Sequence, residues 1–155
     1  MKTCYRCLPV LGVSFSCAAL FLSAPFVRAQ DDKVIKEISY ADTERILGTL
    51  KIEYDNVSEG TYRFQLAGYK TLLLSKKKNL QLYVSFKHKT PLARINEWNR
   101  DKRYTRAYID KEGDPVLEAD LDLEGGSSMG AVKELFRTWL ASVKLFTAHI
   151  GYDDD

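Results

Sequence analysis

Gly126-Ser127-Ser128-Met129-Gly130 has the G-x-S-x-G spacing of a hydrolase nucleophile elbow, and it sits between a strand-like and a helix-like stretch. An elbow serine needs a histidine and an acid brought to it by a larger parallel sheet. The only histidine downstream is His149, about six turns along the same predicted helix, or about 31 Å away. The simpler reading is a glycine break followed by a cap, with Ser127 or Ser128 accepting from the first helical amides.

Carboxylates come next. Asp120, Asp122 and Glu124 alternate, so on a strand they face one way. A calcium site needs about six or more oxygens arriving from several directions, which one strand face does not supply. The run Asp110-Lys111-Glu112-Gly113-Asp114 has its glycine in the wrong place for an EF-hand loop. These acids read as a solvated face paired with Arg106 and nearby lysines. The two histidines, His88 and His149, have no Cys, His or Asp at a ligand spacing, so they read as surface residues. No metal or cofactor is expected.

The stretch most suited to recognition is Thr90–Gly126. Within it Trp98, Asn99, Arg100, Arg103, Tyr104, Arg106 and Tyr108 cluster, with Glu118 and Asp120 following. Aromatic and arginine side chains together are what binding hot spots use. The plainer alternative makes Trp98 a core residue and pairs Arg106 with Glu118 or Asp120. An enzyme built on Asp120 or Glu118 would need the two carboxylates to take acid and base roles.

The elements that position these groups can be read from periodicity. Gln30–Tyr40 reads as a polar, loose segment, and Ala41–Leu50 as a short helix weakened by Gly48. Lys51–Val57 can be extended. In Thr61–Leu66, Tyr62, Phe64 and Leu66 alternate with Arg63 and Gln65; Tyr69–Ser75 follows. Lys76-Lys77-Lys78-Asn79 is a solubilising turn rather than a nucleic-acid patch. In Leu80–Lys87, Leu80, Leu82, Val84 and Phe86 alternate with polar residues. Period two with short connections gives an antiparallel meander with one face wet.

Thr90 is placed to cap the next helix, with Pro91 in its first turn. Leu92, Ile95 and Trp98 or Asn99 share a face. Two more strands follow: Thr105, Ala107 and Ile109 face one way, and Tyr104, Arg106 and Tyr108 the other. In their partner, Leu117, Ala119, Leu121 and Leu123 alternate with Glu118, Asp120 and Asp122. A three-residue turn with Gly113 left-handed sets Arg106 opposite Glu118 and Ala107 opposite Leu117. A slip of two would put Arg106 opposite Asp120, and any odd slip would bury charge. Val132, Leu135, Phe136, Trp139, Val143, Phe146 and Ile150 form the stripe of one long final helix, which Gly151 stops. The order α-βββ-α-ββ-α predicts an α+β fold: an antiparallel sheet with helices packed on one face.

The N-terminus has a secretory layout. Lys2 and Arg6 precede the largely apolar Leu8–Phe21, and Val27-Arg28-Ala29 places small residues for a cut after Ala29. The alternatives are an uncleaved anchor or, less well supported, a lipoprotein signal at Cys17. Cleavage would remove all three cysteines and leave 126 residues without a thiol or disulfide. It would also remove Lys2, Arg6 and Arg28 from the 23 basic residues, leaving 20 against 21 acids, so the net charge passes from +2 to −1. The basic balance therefore says nothing about nucleic acid. Residues 152–155 read as an acidic tail.

The residues INEWNRDKRYTRAYIDKEGDPVLEADLDLEGG resemble the signature of the YbjN-domain family, a family named for bacterial sensory transduction regulation. The resemblance is carried by Asn96-Glu97-Trp98-Asn99, Arg106-Ala107-Tyr108 and Leu121–Gly126, and in element order it extends over residues 41–151. It implies a fold similar to type III secretion chaperones, which are usually dimeric and bind partner polypeptides. It brings no catalytic residues. The export signal departs from the family's usual cytoplasmic pattern.

The expectation is an exported, periplasmic or secreted, non-enzymatic protein with no stable membrane span after cleavage. It would bind a protein or peptide partner, with a homodimer allowed by the fold analogy. A small-ligand sensor and a carboxylate-dependent hydrolase are the alternatives.

Overall fold

The structure is a computed structural model that describes residues 33–152. The predicted signal, its cleavage point and Asp153–Asp155 lie outside the described residues. The chain runs β1 (Val34–Ile35), α1 (Tyr40–Thr49), β2 (Tyr54–Ser58), β3 (Thr61–Leu66), β4 (Tyr69–Lys76), β5 (Asn79–Ser85), α2 (Leu92–Asp101), β6 (Arg106–Ile109), β7 (Pro115–Asp122), β8 (Ser127–Ser128) and α3 (Met129–Ile150). An antiparallel six-stranded sheet has the order β2-β3-β4-β5-β7-β6, and β1 and β8 form a separate two-stranded ribbon. Three helices and this sheet make the α+β fold.

Alternation decides which face is buried. Tyr62 and Phe64 of β3, Leu73 of β4, Leu80, Leu82 and Val84 of β5, and Leu117 and Ala119 of β7 all point into one apolar cluster. α3 supplies the other half through Val132, Phe136, Trp139, Val143, Phe146 and Ile150. Each large side chain so buried contributes roughly 1.5–3 kcal/mol. Ring contacts join the layers: Phe64 to Phe136 at 6.3 Å and Phe86 to Phe146 at 5.7 Å between centroids. The Trp139 indole N–H donates to the Thr71 hydroxyl at 3.3 Å. α1 joins the same face, with Thr43 and Ser75 hydroxyls 2.7 Å apart.

Several local readings need correction. The segment before α1 is anchored rather than loose among the described residues. Val34 and Ile35 pair with Ser128 and Ser127, Ile38 is buried, and its amide bonds the Lys77 carbonyl at 2.8 Å. Ser39 then caps α1 in a capping box with Asp42. The Ser39-x-x-Asp42 spacing was the available signal. Thr90 does not cap α2: Pro91 holds that position, no side chain caps the helix, and the buried Thr90 hydroxyl has no partner. The helix starts one residue later than a Thr90 cap requires, so the hydroxyl misses the free amides. Leu92 does not share the buried face of Ile95 and Trp98; it is 62% exposed in the first turn.

Candidate functional site

The Thr90–Gly126 stretch folds as a latch between α2 and β6. The Trp98 indole N–H donates to the Thr105 hydroxyl at 3.2 Å, and its ring meets Phe146 edge-on at 5.0 Å. Trp98 is 1% exposed, so it belongs to the core and cannot serve as a surface anchor. Asn99 bonds Ala107 twice: its carboxamide N–H reaches the Ala107 carbonyl and its oxygen accepts the Ala107 amide, both at 2.8 Å. One side chain thereby occupies the outward backbone groups of an edge strand, a position that otherwise invites another chain. Arg100 is held by Asp101 through two bonds at 2.8 and 3.2 Å.

Tyr104 departs from the expected strand. Its φ is +69°, β6 begins two residues later, and Tyr104 lines hollows beside α3 rather than joining Arg106 and Tyr108 on the sheet's open face. The left-handed turn breaks the alternation that placed them together. Tyr104 is 81% exposed. Arg103 lines one of these hollows with Leu145 and Ala141 of α3.

The structure does unite Arg106, Tyr108, Glu118 and Asp120. The register is the expected one, Arg106 opposite Glu118 and Ala107 opposite Leu117. Arg106 meets Glu118 Oε2 at 2.7 Å and reaches Asp120 at 3.4 Å. The Tyr108 hydroxyl donates to Glu118 Oε1 at 2.6 Å. Glu118 is 6% exposed, not solvated, and both its oxygens are engaged. Burial, then the hydrogen bond to Glu118, pushes the Tyr108 phenol well above its ordinary range. The Tyr108–Glu118 contact is diagonal across the strands, which residue-opposite-residue pairing does not reveal.

This network is one end of a row crossing all six strands: Asp55, Arg63, Leu72, Tyr83, Glu118, Arg106. Ion pairs close both ends, with Arg63 to Asp55 at 3.0 Å. The middle is apolar and half-buried, and Leu74 lies beside Leu72 on the same face. Val116, opposite Ser85 and Tyr108, is fully buried although it is not part of the helix-facing cluster.

The other sequence candidates have structural roles. Ser128 caps α3, its hydroxyl accepting the Ala131 amide at 3.1 Å. Asp110, Glu112 and Asp114 bring carboxylate oxygens within 4.8 Å of one another. Asp110 already accepts the Glu112 and Asp114 amides at 2.9 Å, and the Lys89 ammonium lies 3.3 Å from Asp114. The His88 and His149 rings bond the carbonyls of Ile150 and Arg94 at 3.0 and 2.7 Å, tying the end of α3 to α2 and the β5–α2 connection. No described helix is long and apolar enough to cross a membrane.

A search of curated proteins finds no match to the chain. The family model described as "Putative bacterial sensory transduction regulator" matches residues 44–151, from within α1 through the glycine that ends α3. The match takes in more than half of the chain and every strand of the six-stranded sheet, so the chain belongs to the YbjN family.

Proposed function

We propose that this is an exported, non-enzymatic YbjN-domain protein that binds a polypeptide partner in a chaperone-like or regulatory role. The observation that carries the reading is the one-sided sheet. Helices cover one face, and the other presents Leu72, Leu74, Tyr83 and Tyr108 between the ion pairs of Arg63 and Arg106. An apolar centre with a charged rim is the anatomy of a protein interface. Of the two carboxylates a hydrolase would employ, Glu118 is committed to Arg106 and Tyr108 and Asp120 lies 3.4 Å from the Arg106 guanidinium, which supports a binding role. Export rests on the N-terminal layout, with a mature chain starting at Gln30.

The test is a photo-crosslinker in place of Tyr83, with the mature protein recovered from the cell envelope. The reading predicts a crosslinked polypeptide that disappears with Leu72→Asp, and an N-terminal sequence beginning at Gln30. A crosslink indifferent to Leu72→Asp, or none, overturns the binding reading. An intact Met1 in the soluble interior overturns export.

A second reading, a small-ligand sensor, is favoured by one feature. A hollow of about 910 Å³ lies between the end of α1 and β3, bringing Lys51, Arg63 and Lys70 beside Phe64 and Leu66. Its size suits a small ligand; Glu53 and Asp55 also line it and Asp55 pairs with Arg63, so Lys51 and Lys70 are the bases that would meet an anion. A thermal-shift screen of amphipathic anions that raises the melting temperature only when Lys70 is retained would select it.

A further inference from the structure

β6 is too short for its partner. Its pairing with β7 starts at Arg106 opposite Glu118, and the left-handed Tyr104 carries the preceding chain away. β7 nevertheless continues to Asp122. The direction of its free backbone groups follows from strand parity. The Asp114 carbonyl bonds Asp110 on the β6 side, whereas the Pro115 carbonyl bonds Phe86 and the Leu123 amide bonds Lys78 on the β5 side. Even-numbered residues of β7 therefore address β6. Beyond Glu118, these are Asp120 and Asp122, whose main-chain N–H and C=O groups meet no strand among the described residues.

The space beside this free edge is shaped. A hollow of about 330 Å³ lies under it, between β7 and α3, with Leu121, Ala131, Leu135 and Trp139 in its lining, Tyr104 at one side and Glu134 at its rim. On the opposite side of the sheet the same edge presents the carboxylates of Asp120 and Asp122, both exposed.

We propose that this notch accepts an extended polypeptide segment with alternating basic and apolar residues, which continues the line of β6 along β7. The notch is a second surface, separate from the open face, and the proposal names the class of segment it takes. Main-chain bonds to Asp120 and Asp122 supply the attachment, as in other strand-addition complexes. A residue opposite Leu121 points toward α3 and enters the hollow, so it is apolar. The residues opposite Asp120 and Asp122 point to the outer face beside two carboxylates, so they are basic. The exposed Tyr104 ring flanks the entering segment.

The test uses a capped, fluorescently labelled heptapeptide in which Lys and Arg alternate with Val and Ile. Its companions are a charge-swapped version with Glu at the basic positions and a version N-methylated at the backbone. The mature chain should bind the first at least roughly tenfold more tightly than either companion, the cost of one strong hydrogen bond or charge pair. Hydrogen exchange at the Asp120 and Asp122 amides should slow only when peptide is added. Asp120→Lys should weaken the basic peptide at least about tenfold and favour the Glu version. Ala131→Trp, which fills the hollow without touching Asp120, should weaken both, while Glu59→Gln in the exposed β2–β3 turn should leave peptide affinity unchanged.

Equal affinity for all three peptides overturns the proposal, as does no binding of any. Protection at Tyr83 and Leu72 instead of Asp120 overturns the notch but leaves a polypeptide-binding protein. A dimer whose Asp120 and Asp122 amides are protected without peptide assigns the notch to a second copy of the chain.

Discussion

The two edges of the sheet are built differently. At the β6 edge, four residues of strand are held by an indole, a carboxamide and a guanidinium: Trp98 to Thr105, Asn99 to Ala107, Arg106 to Glu118. At the β2 edge, five residues are all exposed, and among the described residues nothing pairs along the strand's outer side. The chemically richest stretch of the chain is spent on closing one edge, and a plain stretch leaves the other open. Density of aromatic and basic residues in sequence therefore marks a latch here as much as a binding surface. What the latch leaves uncovered is the open face and the gap where it stops short of the end of β7.

Substitutions should separate the two edges, beginning with the largest effect. Trp98→Ala removes a fully buried ring between α2 and α3 and should cost about 3–5 kcal/mol in urea unfolding. The matching β2 changes, Val57→Ala or Asn56→Ala, should stay within about 0.5 kcal/mol. A Trp98→Ala cost under about 1 kcal/mol would remove the distinction. Glu118→Ala should follow, because it leaves the Tyr108 hydroxyl and Arg106 without their shared acceptor; a loss of roughly 2–3 kcal/mol is expected. Asn99→Ala strips both bonds from Ala107 and should cost about 1–3 kcal/mol.

Two smaller effects sharpen the comparison. The Asp114 amide, with those of Glu112 and Gly113, holds the Asp110 carboxyl below its ordinary value of 3.8. A folded-state carboxyl that releases its proton more readily than the unfolded one stabilises above the unfolded pKa. That contribution is lost as pH falls through the folded value. The stability gap between wild type and Asp110→Asn should therefore be present at pH 7 and narrow below about pH 3.8. An unchanging gap would mean that the β6–β7 turn does not depend on this charge. Thr90→Val should be neutral or slightly stabilising, because the buried hydroxyl it removes has no partner; a clear loss of melting temperature would restore a capping role.

Much of the sheet was legible because its signals are periodic. One buried face fixes strand parity, so the alternation of Leu117, Ala119 and Leu121 with Glu118, Asp120 and Asp122 left few registers for the β6–β7 hairpin. Gly113, at φ +84°, then selected the observed one. What was not legible depends on single conformations. β1 and β8 have two residues each, too few for any period to show. Tyr104 adopts a left-handed backbone that a tyrosine rarely takes, so alternation carried it to the wrong side. The site was legible in composition only. The sequence brought Arg106 to Glu118 but gave no sign that Glu118 would be buried, or that Asn99 would complete the edge of β6.

Native-state hydrogen exchange at Ala107 tests the latch most directly. Its amide points out of the sheet to Asn99, so it should be protected in the wild type and exchange at least about tenfold faster in Asn99→Ala, while the Asn56 amide, which strand parity turns away from β3, stays fast in both. An Ala107 amide that exchanges as freely as Asn56 in the wild type would show that α2 does not close this edge, and would return Asn99 and its neighbours to the candidates for partner contact.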